Sequence, residues 1–383
     1  ETPYLYDVTV ELASNKLLHR VREKIGFRTL AVKPGDGIYL NDSKILLKGV
    51  NRHCFWPETG RTLSRDISLQ DAFLIKEMNM NSVRMSHYPP DSHFLDICDS
   101  LGLYVLDELA GWQAAYDTDI GRTLVKELVT RDVNHPSVLF WDNGNEGGFN
   151  YNLDDEFGRW DPQKRIVLHP WETSNGINTA HYQPYDTNRR FAQGPDLLMP
   201  TELLHGLYDG GLGAGLQDYW DLTRTQPCVS GAFLWALLDE AVVRTDDNHR
   251  PDTAGNQAPD GILGPHREKE GSFSAIKEIF APVQIDFING NERFQGKIKV
   301  ENRYDFTDLA GCRLRLELVD FPSPFDTGTA RISYRHEMPF PSIPPRTSRD
   351  ITLPLPELFQ SHDALWINII DGSGRIVLTR TIP

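Results

Sequence analysis

The sequence is poor in cysteine, in basic residues and in long apolar runs, and each shortage excludes a class of protein. Its four cysteines stand apart, without a CxxC pair or a Cys/His spacing, which argues against a disulfide framework and a zinc site. No apolar stretch approaches the roughly 18 residues of a membrane span. Only 39 Lys and Arg face 54 Asp and Glu, and the net charge of −15 would repel a nucleic acid.

The first residues have neither a basic segment nor an apolar core, so they do not form a signal peptide. The isolated cysteines do not reveal the compartment either. Localisation is therefore left open, with a periplasmic or secreted protein slightly favoured over a cytoplasmic one.

The composition is that of a globular chain, and its 383 residues are enough for two or three domains. Residues 1–35 alternate apolar and polar side chains, which predicts a strand pair with a turn near Ser14. Two strands cannot bury a core, so we expect this segment to be the end of a domain whose beginning is absent. Alternation returns in residues 283–383, where six short strands predict a β-sandwich.

Between these regions, in residues 36–282, short apolar runs alternate with helical stretches. The predicted strands are 44–50, 82–85, 104–107, 138–141, 165–168, 177–182, 197–202 and 232–238. The predicted helices are 68–80, 92–101, 123–133, 213–225 and 272–280. Both a closed (β/α)8 barrel and an open doubly wound sheet fit this alternation. The glycine cluster at 210–215 lacks the context of a phosphate-binding turn and is interpreted as a flexible loop, as is the polar stretch 241–270.

Polar residues gather where the predicted strands end, and in a barrel that face carries the active site. Two glutamates stand out there. Glu146 follows Asn145 and precedes two glycines that permit close approach, whereas Glu202 follows a buried run. Strands four and seven face each other across a barrel, and two opposed carboxylates ~5–5.5 Å apart suit retaining glycoside hydrolysis. Trp112 and other aromatic residues could stack on sugar rings, although the residues alone leave salt bridges and core packing open as ordinary roles.

These residues belong to stretches that resemble glycoside hydrolase family 2, the family of β-galactosidases, β-glucuronidases and β-mannosidases. The matching stretches occur in the family's order over residues 20–280 and are GVNRH at 49–53, VRMSHYP at 83–89, GLYVLDE at 102–108, RDVNHPSV at 131–138, GNE at 144–146 and GAFLW at 231–235. The resemblance implies a TIM barrel in 36–282, the end of a truncated immunoglobulin-like domain in 1–35 and a complete immunoglobulin-like β-sandwich in 283–383. It also implies that the family's N-terminal sugar-binding domain is missing from this chain.

The same resemblance implies roles for individual residues. Glu146 matches the general acid/base, Asn145 the residue that binds the sugar 2-hydroxyl, and Glu202 the nucleophile. Glu172 is an alternative nucleophile that lies one or two strands too early. Tyr182 matches the tyrosine that hydrogen-bonds the nucleophile. The positions that match the pocket lining are Asn51, His53, Arg84, His87 and Trp235.

Departures from the family pattern bear on metal and substrate. The magnesium-dependent β-galactosidases carry a Glu-x-His pair after the third strand, but residues 107–113 lack it, so we expect no metal and no cofactor. The β-glucuronidases carry an Asn-x-Lys-Gly motif, and residues 255–261 contain no lysine. Basic residues in the same loop leave a charged sugar open, and the unusual pair Asp142-Asn143 could indicate a specialised glycan.

The resemblance therefore predicts a retaining exo-β-glycosidase, most similar to β-galactosidase, acting on an oligosaccharide or glycoside by double displacement. The alternatives are a β-glucuronidase, a glycosidase for a modified galactan, and a carbohydrate-binding barrel without turnover. Oligomeric state is open. For this chemistry we expect the pKa of Glu146 to be raised, and we expect Glu202 to be ionised with help from Arg84 and Tyr182.

Overall fold

The computed structural model describes residues 1–207, 212–288, 294–356 and 359–383. The chain divides into two compact units, one formed by Glu1–Lys76 and Met80–Ile276, the other by Glu77–Asn79 and Lys277–Pro383. Across these described ranges, none of the helices is both long enough and apolar enough to cross a membrane.

The first unit begins with two small antiparallel sheets. The strands are β1 (Tyr6–Ala13), β2 (Leu17–Ile25), β3 (Leu30–Lys33), β4 (Gly37–Leu40) and β5 (Ser43–Ile45). β1 pairs with β2, which confirms the strand pair predicted around Ser14. β4 pairs with both β3 and β5. Ile38 and Ile45 of this second sheet are fully buried and belong to the same apolar cluster as the barrel residues described next.

A curled parallel sheet forms the centre of the unit. Its strands and their short neighbours are β6 (Leu47–Arg52), β7 (Ser82–Met85), β8 (Tyr104–Trp112), β9 (Val138–Asn145), β10 (Val167–Leu168), β11 (Thr173–Ser174), β12 (Ile177–Asn178), β13 (Leu197–Leu198), β14 (Leu203–His205) and β15 (Gly231–Trp235). The hydrogen-bonded order is β10-β9-β8-β7-β6-β15-β14, while β12 pairs in parallel with β13, and Leu198 bridges Val229 just before β15. The closed arrangement is a TIM barrel, so the open doubly wound sheet is excluded.

Helices follow the strands of the barrel. They are α1 (Arg65–Glu77), α2 (Ser92–Leu101), α3 (Thr118–Asp132), α4 (Asp154–Trp160), α5 (Tyr185–Phe191), α6 (Leu212–Thr225) and α7 (Gly271–Ile279). α2 has the predicted bounds. α3 begins five residues before the predicted start of 123, because Asp117 caps it by accepting hydrogen bonds from the amides of Asp119 and Ile120, both at 3.0 Å. α4 and α5 were not predicted, since seven residues are too few for an apolar period to stand out.

Two loop interpretations need correction. Gly210 and Gly211 of the glycine cluster lie outside the described residues, but residues 212–215 form the first turn of α6 and are not a flexible loop. The polar stretch after the eighth barrel strand contains a short antiparallel hairpin, β16 (Val242–Arg244) with β17 (Arg250–Asp252).

Large apolar side chains fill the barrel interior, so it is a packed core and not a pore. The buried cluster contains Leu47, Leu106, Phe140, Leu168, Ile177, Leu197 and Phe233. A Cβ added at Gly49 would lie 2.2 Å from the Phe233 ring, so only glycine leaves room for that ring. The packing leaves polar side chains at the carboxyl end of the strands.

The second unit is built from antiparallel strands. They are β18 (Val283–Phe287), β19 (Lys297–Asn302), β20 (Arg313–Asp320), β21 (Arg331–Pro339), β22 (Ser348–Thr352), β23 (Ala364–Ile370) and β24 (Ile376–Ile382). They form a three-stranded sheet, β18-β19-β22, and a four-stranded sheet, β21-β20-β23-β24. One apolar cluster draws buried side chains from both sheets, among them Val300, Leu316 and Ile367. Such a shared core is typical of a β-sandwich.

Candidate active site

Glu146 lies at the end of β9 in a tight turn that only glycines can close. Its own φ is 44°, and Gly147 follows with a φ of 90°, so both adopt the left-handed region. A Cβ at Gly148 would lie 1.8 Å from the carbonyl oxygen of Gly111, at the end of β8. The close approach predicted from the two glycines is therefore found at Gly148, and it sets where the Glu146 side chain starts.

Glu146 and Glu202 meet through His181. The Nδ1 atom of His181 lies 3.0 Å from Glu146 Oε1 and 3.4 Å from Glu202 Oε2. One oxygen of each carboxylate and this nitrogen all lie within 4.8 Å of one another. Such spacing would suit a divalent cation. However, His181 Nδ1 forms a hydrogen bond with Glu146 at 3.0 Å and lies 3.4 Å from Glu202, so direct contacts within this trio of side chains already account for the spacing.

Arg84 lies beneath this trio and is fully buried. Its Nη1 donates to Glu202 Oε1 at 2.9 Å and to Asn51 Oδ1 at 3.1 Å. Its Nη2 donates to Glu108 Oε2 at 2.6 Å and to Asn145 Oδ1 at 2.8 Å. Asn51 is equally buried. Both side chains hydrogen-bond within the protein, which places them under the carboxylates and not on the exposed wall of the site.

Three carboxyl groups compete for the Arg84 guanidinium, whose Nε also donates to Asp142 Oδ2 at 3.1 Å. Burial raises the pKa of Glu108 to about 8, against the opposing attraction of Arg84. Burial likewise raises the pKa of Asp142 to about 7. One cation cannot neutralise three buried anions, so protons remain in this network at neutral pH.

Hydrogen bonds also set the state of the two glutamates. The Tyr182 hydroxyl donates to Glu202 Oε2 at 2.6 Å, and burial together with this carboxylate raises the pKa of Tyr182. Glu146 behaves against expectation, because hydrogen bonds from His181 and Trp112 lower its pKa to about 2. The raised pKa predicted for Glu146 is therefore wrong for the unliganded site. Donors to a carboxylate stabilise its charged form, and here they outweigh partial burial.

Aromatic rings and histidines form one wall of the site around Trp235. His87 stacks on this indole at a centroid distance of 5.2 Å, and His53 meets it edge-on at 5.1 Å. Burial lowers the pKa of His87 to about 3 and lowers those of His53 and His205 as well. These three rings are thus uncharged at neutral pH.

Carboxyl groups stand behind this wall. The Trp235 indole donates to Asp260 Oδ2 at 2.8 Å, while Asp260 Oδ1 is buried without a hydrogen-bond partner among the described residues. Glu240 Oε1 lies 3.1 Å from His53 Nδ1, without the alignment of a hydrogen bond. Burial raises the pKa of Asp260 to about 7 and raises that of Glu240 well above its usual value.

The other predicted site residues differ in how close they lie to the carboxylate pair. Trp112 donates to Glu146 Oε2 at 3.1 Å. Asn145 is buried beside Arg84 and has its amide nitrogen 3.5 Å from His87 Nε2. Glu172 is exposed, and its carboxylate accepts a hydrogen bond from Tyr151 at 2.8 Å.

Sequence reasoning missed His181, Glu108, Glu240 and Asp260 as members of the site. His181 lies one residue before the end of predicted strand 177–182, and Glu108 directly follows predicted strand 104–107, so their position was a usable signal. Asp260 carried no such signal, because its partner Trp235 is 25 residues away and only the folded loop brings them together.

Comparisons with known proteins agree with this architecture. The family model described as glycosyl hydrolases family 2, TIM barrel domain, matches residues 30–258. A β-galactosidase of Priestia megaterium is 27% identical over 352 residues, covering 81% of this chain and 33% of the relative. A β-galactosidase of Halalkalibacterium halodurans is 30% identical over 361 residues, covering 83% and 35%. The chain thus spans about a third of the length of these relatives.

Solved structures show a similar fold. The β-glucuronidase of Bifidobacterium dentium complexed with coumarin-3-O-glucuronide aligns with a TM-score of 0.62 at 20% identity, covering 74% of this chain and 54% of that one. The β-galacturonidase of Eisenbergiella tayi bound to galacturonate aligns with a TM-score of 0.61 at 22% identity, covering 73% and 58%. At these identities the likeness concerns the fold and not the substrate.

Proposed function

Since this chain belongs to glycosyl hydrolase family 2, whose barrel model matches residues 30–258, we propose that it carries the catalytic site of a retaining exo-β-glycosidase. Glu202 is the nucleophile and Glu146 the acid/base. The observation that carries the proposal is the 4.8 Å limit on the distance between one oxygen of each carboxylate. Retaining enzymes hold their two carboxyl groups about 5–5.5 Å apart, whereas inverting enzymes leave about 6.5–9.5 Å for a water molecule.

The first step forms a glycosyl ester. A Glu202 oxygen attacks the anomeric carbon as the bond to the leaving oxygen breaks, and that oxygen takes a proton from Glu146. Arg84 and Tyr182 hold Glu202 with hydrogen bonds of 2.9 and 2.6 Å, which fix the orientation of its carboxylate before attack. In the second step Glu146 removes a proton from water, whose oxygen replaces Glu202 at the anomeric carbon.

Asn145 is the proposed contact for the sugar 2-hydroxyl. Arg84 donates to the Oδ1 atom of Asn145 at 2.8 Å, which fixes the orientation of the amide. The amide nitrogen is then the atom that faces away from Arg84 and is able to donate to a sugar hydroxyl. The retention of this residue beside both glutamates favours an enzyme over a carbohydrate-binding barrel without turnover.

The experiment compares three Glu→Gln variants on a panel of aryl β-glycosides. Glu202→Gln should lose nearly all turnover, and Glu146→Gln should lose most of it but recover with azide on a dinitrophenyl glycoside. Glu172→Gln is the matched control and should keep wild-type kcat, because Glu172 is exposed and bonded to Tyr151. Full activity of Glu202→Gln, or loss of activity in Glu172→Gln alone, would contradict the assignment.

We further propose that the terminal sugar is neutral, as in a β-galactoside. The wall around Trp235 is backed by two carboxyl groups, Asp260 and Glu240, and its three histidines are uncharged at neutral pH. A uronate would bring another carboxylate to that wall and would be repelled when these groups ionise. Hydroxyl groups, in contrast, are able to donate to the unpartnered Asp260 Oδ1.

The alternative substrate class is a uronide. Substitution of the carboxyl groups behind the Trp235 wall distinguishes the two classes. The wild type should cleave p-nitrophenyl β-galactoside with a much higher kcat/KM than the β-glucuronide or β-galacturonide. At a pH above about 7, where Asp260 ionises, the double variant Glu240→Gln/Asp260→Asn should narrow that ratio by about tenfold or more, since about 1.4 kcal/mol of repulsion corresponds to tenfold. A wild type that prefers a uronide would overturn the neutral-sugar proposal and leave the glycosidase assignment intact.

We also propose that the chain consists of three parts: 1–35 as the end of an immunoglobulin-like domain, 36–282 as the barrel and 283–383 as an immunoglobulin-like β-sandwich. The β1–β2 hairpin and the two antiparallel sheets around a shared core support this division. Limited proteolysis should release a stable fragment that begins close to residue 283. A first cut within the β20–β23 pair would contradict it.

A further inference from the structure

His181 lies close to both proposed catalytic carboxylates, but it has no role in the two steps proposed for them. Its side chain is only 1% exposed. Nδ1 lies 3.0 Å from Glu146 Oε1, while Nε2 lies 2.9 Å from the hydroxyl oxygen of Thr201. That hydroxyl lies in turn 3.2 Å from the carbonyl oxygen of Thr179.

These contacts give both ring nitrogens of His181 a hydrogen-bond partner whether the imidazole carries one proton or two. With two protons, Nδ1–H donates to the Glu146 carboxylate, and Nε2–H donates to Thr201 Oγ1, whose hydroxyl turns its own hydrogen to the Thr179 carbonyl 3.2 Å away. With one proton, which stays on Nε2 after Nδ1 has given up its own, the contact to Thr201 is unchanged, and Nδ1 accepts a hydrogen bond from protonated Glu146. The Thr179 carbonyl thus lets Nε2 keep its proton in both states, and Nδ1 is the atom that exchanges a proton.

We propose, on the basis of the proposed function, that His181 is a positioning residue which stores the proton that Glu146 delivers to the leaving group. Such a proton store is needed because Glu146 itself holds its proton weakly. Hydrogen bonds from His181 and Trp112 lower the pKa of Glu146 to about 2, so Glu146 alone is a carboxylate at neutral pH. The acid required in the first step must then come from its partner at 3.0 Å.

The proton balance closes over one turnover. In the first step the proton passes from His181 Nδ1 to Glu146 and on to the leaving oxygen, while Glu202 bonds to the anomeric carbon. In the second step Glu146 takes a proton from water and returns it to Nδ1, the water oxygen bonds to the anomeric carbon, and the ester to Glu202 breaks. No oxidant, reductant or further reactant is consumed.

A few charged and titratable side chains around His181 affect how strongly the ring holds this proton. The anions nearest the ring are Glu146 at the end of β9 and Glu202 after β13, and Glu108 on β8 adds a weaker attraction. Arg84 on β7 is the opposing cation, held against Glu202 and Glu108. Tyr182 contacts the His181 ring edge-on, His205 lies against Tyr182, and His87 Nε2 lies 3.9 Å from Glu202 Oε1.

The first test uses His181→Asn, whose amide replaces Nδ1 as a donor but cannot exchange a proton. On phenyl β-glycosides, whose leaving group needs an acid, kcat/KM should fall about tenfold to a hundredfold. On dinitrophenyl β-glycosides, which need little acid, the loss should stay within about threefold. The basic limb of the pH profile should also change for the phenyl substrate. His93→Asn is the matched control, since His93 bonds to the Ser68 hydroxyl at 2.9 Å away from the carboxylates.

The second test does not depend on turnover. With ¹⁵N-labelled histidine, the ring shifts of His181 should follow a titration that moves to lower pH by about one unit or more in Glu146→Gln, because the anion at 3.0 Å is removed. Absence of hydrolysis by the wild type would refute the proposed function, while this titration would still decide whether the pair shares a proton. An equal loss on both substrates with an unchanged pH profile, or a titration that ignores Glu146→Gln, would overturn the proposal.

Discussion

The indole nitrogen of Trp112 donates a hydrogen bond to Glu146 Oε2 at 3.1 Å from a side chain that is 60% exposed. Glu146 is therefore held from two sides, by buried His181 and by an open aromatic face. The buried contact lies next to the second carboxylate, whereas the exposed one lies on the solvent side. In the proposed mechanism, we therefore expect Trp112 to contact the leaving group and to orient Glu146.

The first prediction concerns Trp112 and separates the effect of its aromatic face from the effect of its indole N–H donor. Trp112→Phe keeps an aromatic face but removes the hydrogen bond to a charged group, so kcat should fall about tenfold while KM stays within about threefold. Trp112→Ala removes both and should also raise KM for aryl glycosides. Trp366→Phe in β23 serves as a control and should change neither constant. An unchanged kcat in Trp112→Phe would show that the indole donor has no part in catalysis.

Tyr182 gives the second prediction, because its hydroxyl donates a hydrogen bond at 2.6 Å to Glu202, the proposed nucleophile. Hydrogen bonds to charged groups contribute about 1.5–3 kcal/mol, so Tyr182→Phe should lower kcat about tenfold to a hundredfold. Tyr219→Phe loses a hydroxyl that donates to the Gln183 carbonyl at 3.0 Å and is the matched control. Equal kcat values in the two variants would argue against Glu202 as the nucleophile.

Gly148 gives the third prediction, which concerns geometry and not charge. A methyl group there would lie 1.8 Å from the Gly111 carbonyl, so the turn that carries Glu146 must shift. A misplacement of about 1 Å can cost about a hundredfold in rate, and we expect a loss of that order in kcat for Gly148→Ala. Gly158→Ala, whose nearest neighbour is a flexible Lys164 carbon at 3.8 Å, should retain activity.

The fourth prediction concerns Asp142 and the way the stability of the folded chain depends on pH. Its pKa is raised to about 7 in the folded chain, and that of Glu108 is raised to about 8, so the folded state binds more protons than the unfolded state above pH ~4. Stability should fall as the pH rises from 5 to 9. Asp142→Asn cannot ionise, and its Tm should decline less over that range, although the variant starts lower because its amide lacks a second partner.

Differential scanning fluorimetry from pH 5 to 9 measures these slopes. Asp326→Asn changes an exposed carboxylate in the second unit and should preserve the wild-type slope. A wild-type Tm that is constant or increases over this range would contradict the assignment of buried protons around Arg84.

Much of the fold could be predicted from the sequence because it depends on local periodicity. Apolar runs that alternate with helical stretches indicated βα units, and the bounds of α2 and β7 agree with the prediction. The sixth and seventh barrel strands are shorter than predicted. Only Ile177–Asn178 and Leu197–Leu198 form regular strands there, although isolated backbone hydrogen bonds continue, such as that from Phe233 N to the Pro200 carbonyl, and Pro200 itself has no N–H to donate.

The candidate site divides in a similar way. Glu146, Glu202 and Tyr182 carried recognisable surroundings in the sequence, and the fold brings them within hydrogen-bonding reach of shared partners. The state of Glu146 could not be predicted, since it depends on donors 34 and 35 residues away along the chain. The same holds for Asp260, which meets Trp235 only because a loop returns to the barrel mouth.

The sequence by itself determined the order of strands and helices and the residue types available at each strand end, because periodicity and local motifs are written in neighbouring positions. Only the tertiary structure decided which of those side chains lie close enough to hydrogen-bond to one another and which of them hold a proton. Burial and the distance between charges control protonation, and both arise when strands far apart in the chain converge on Arg84 and His181.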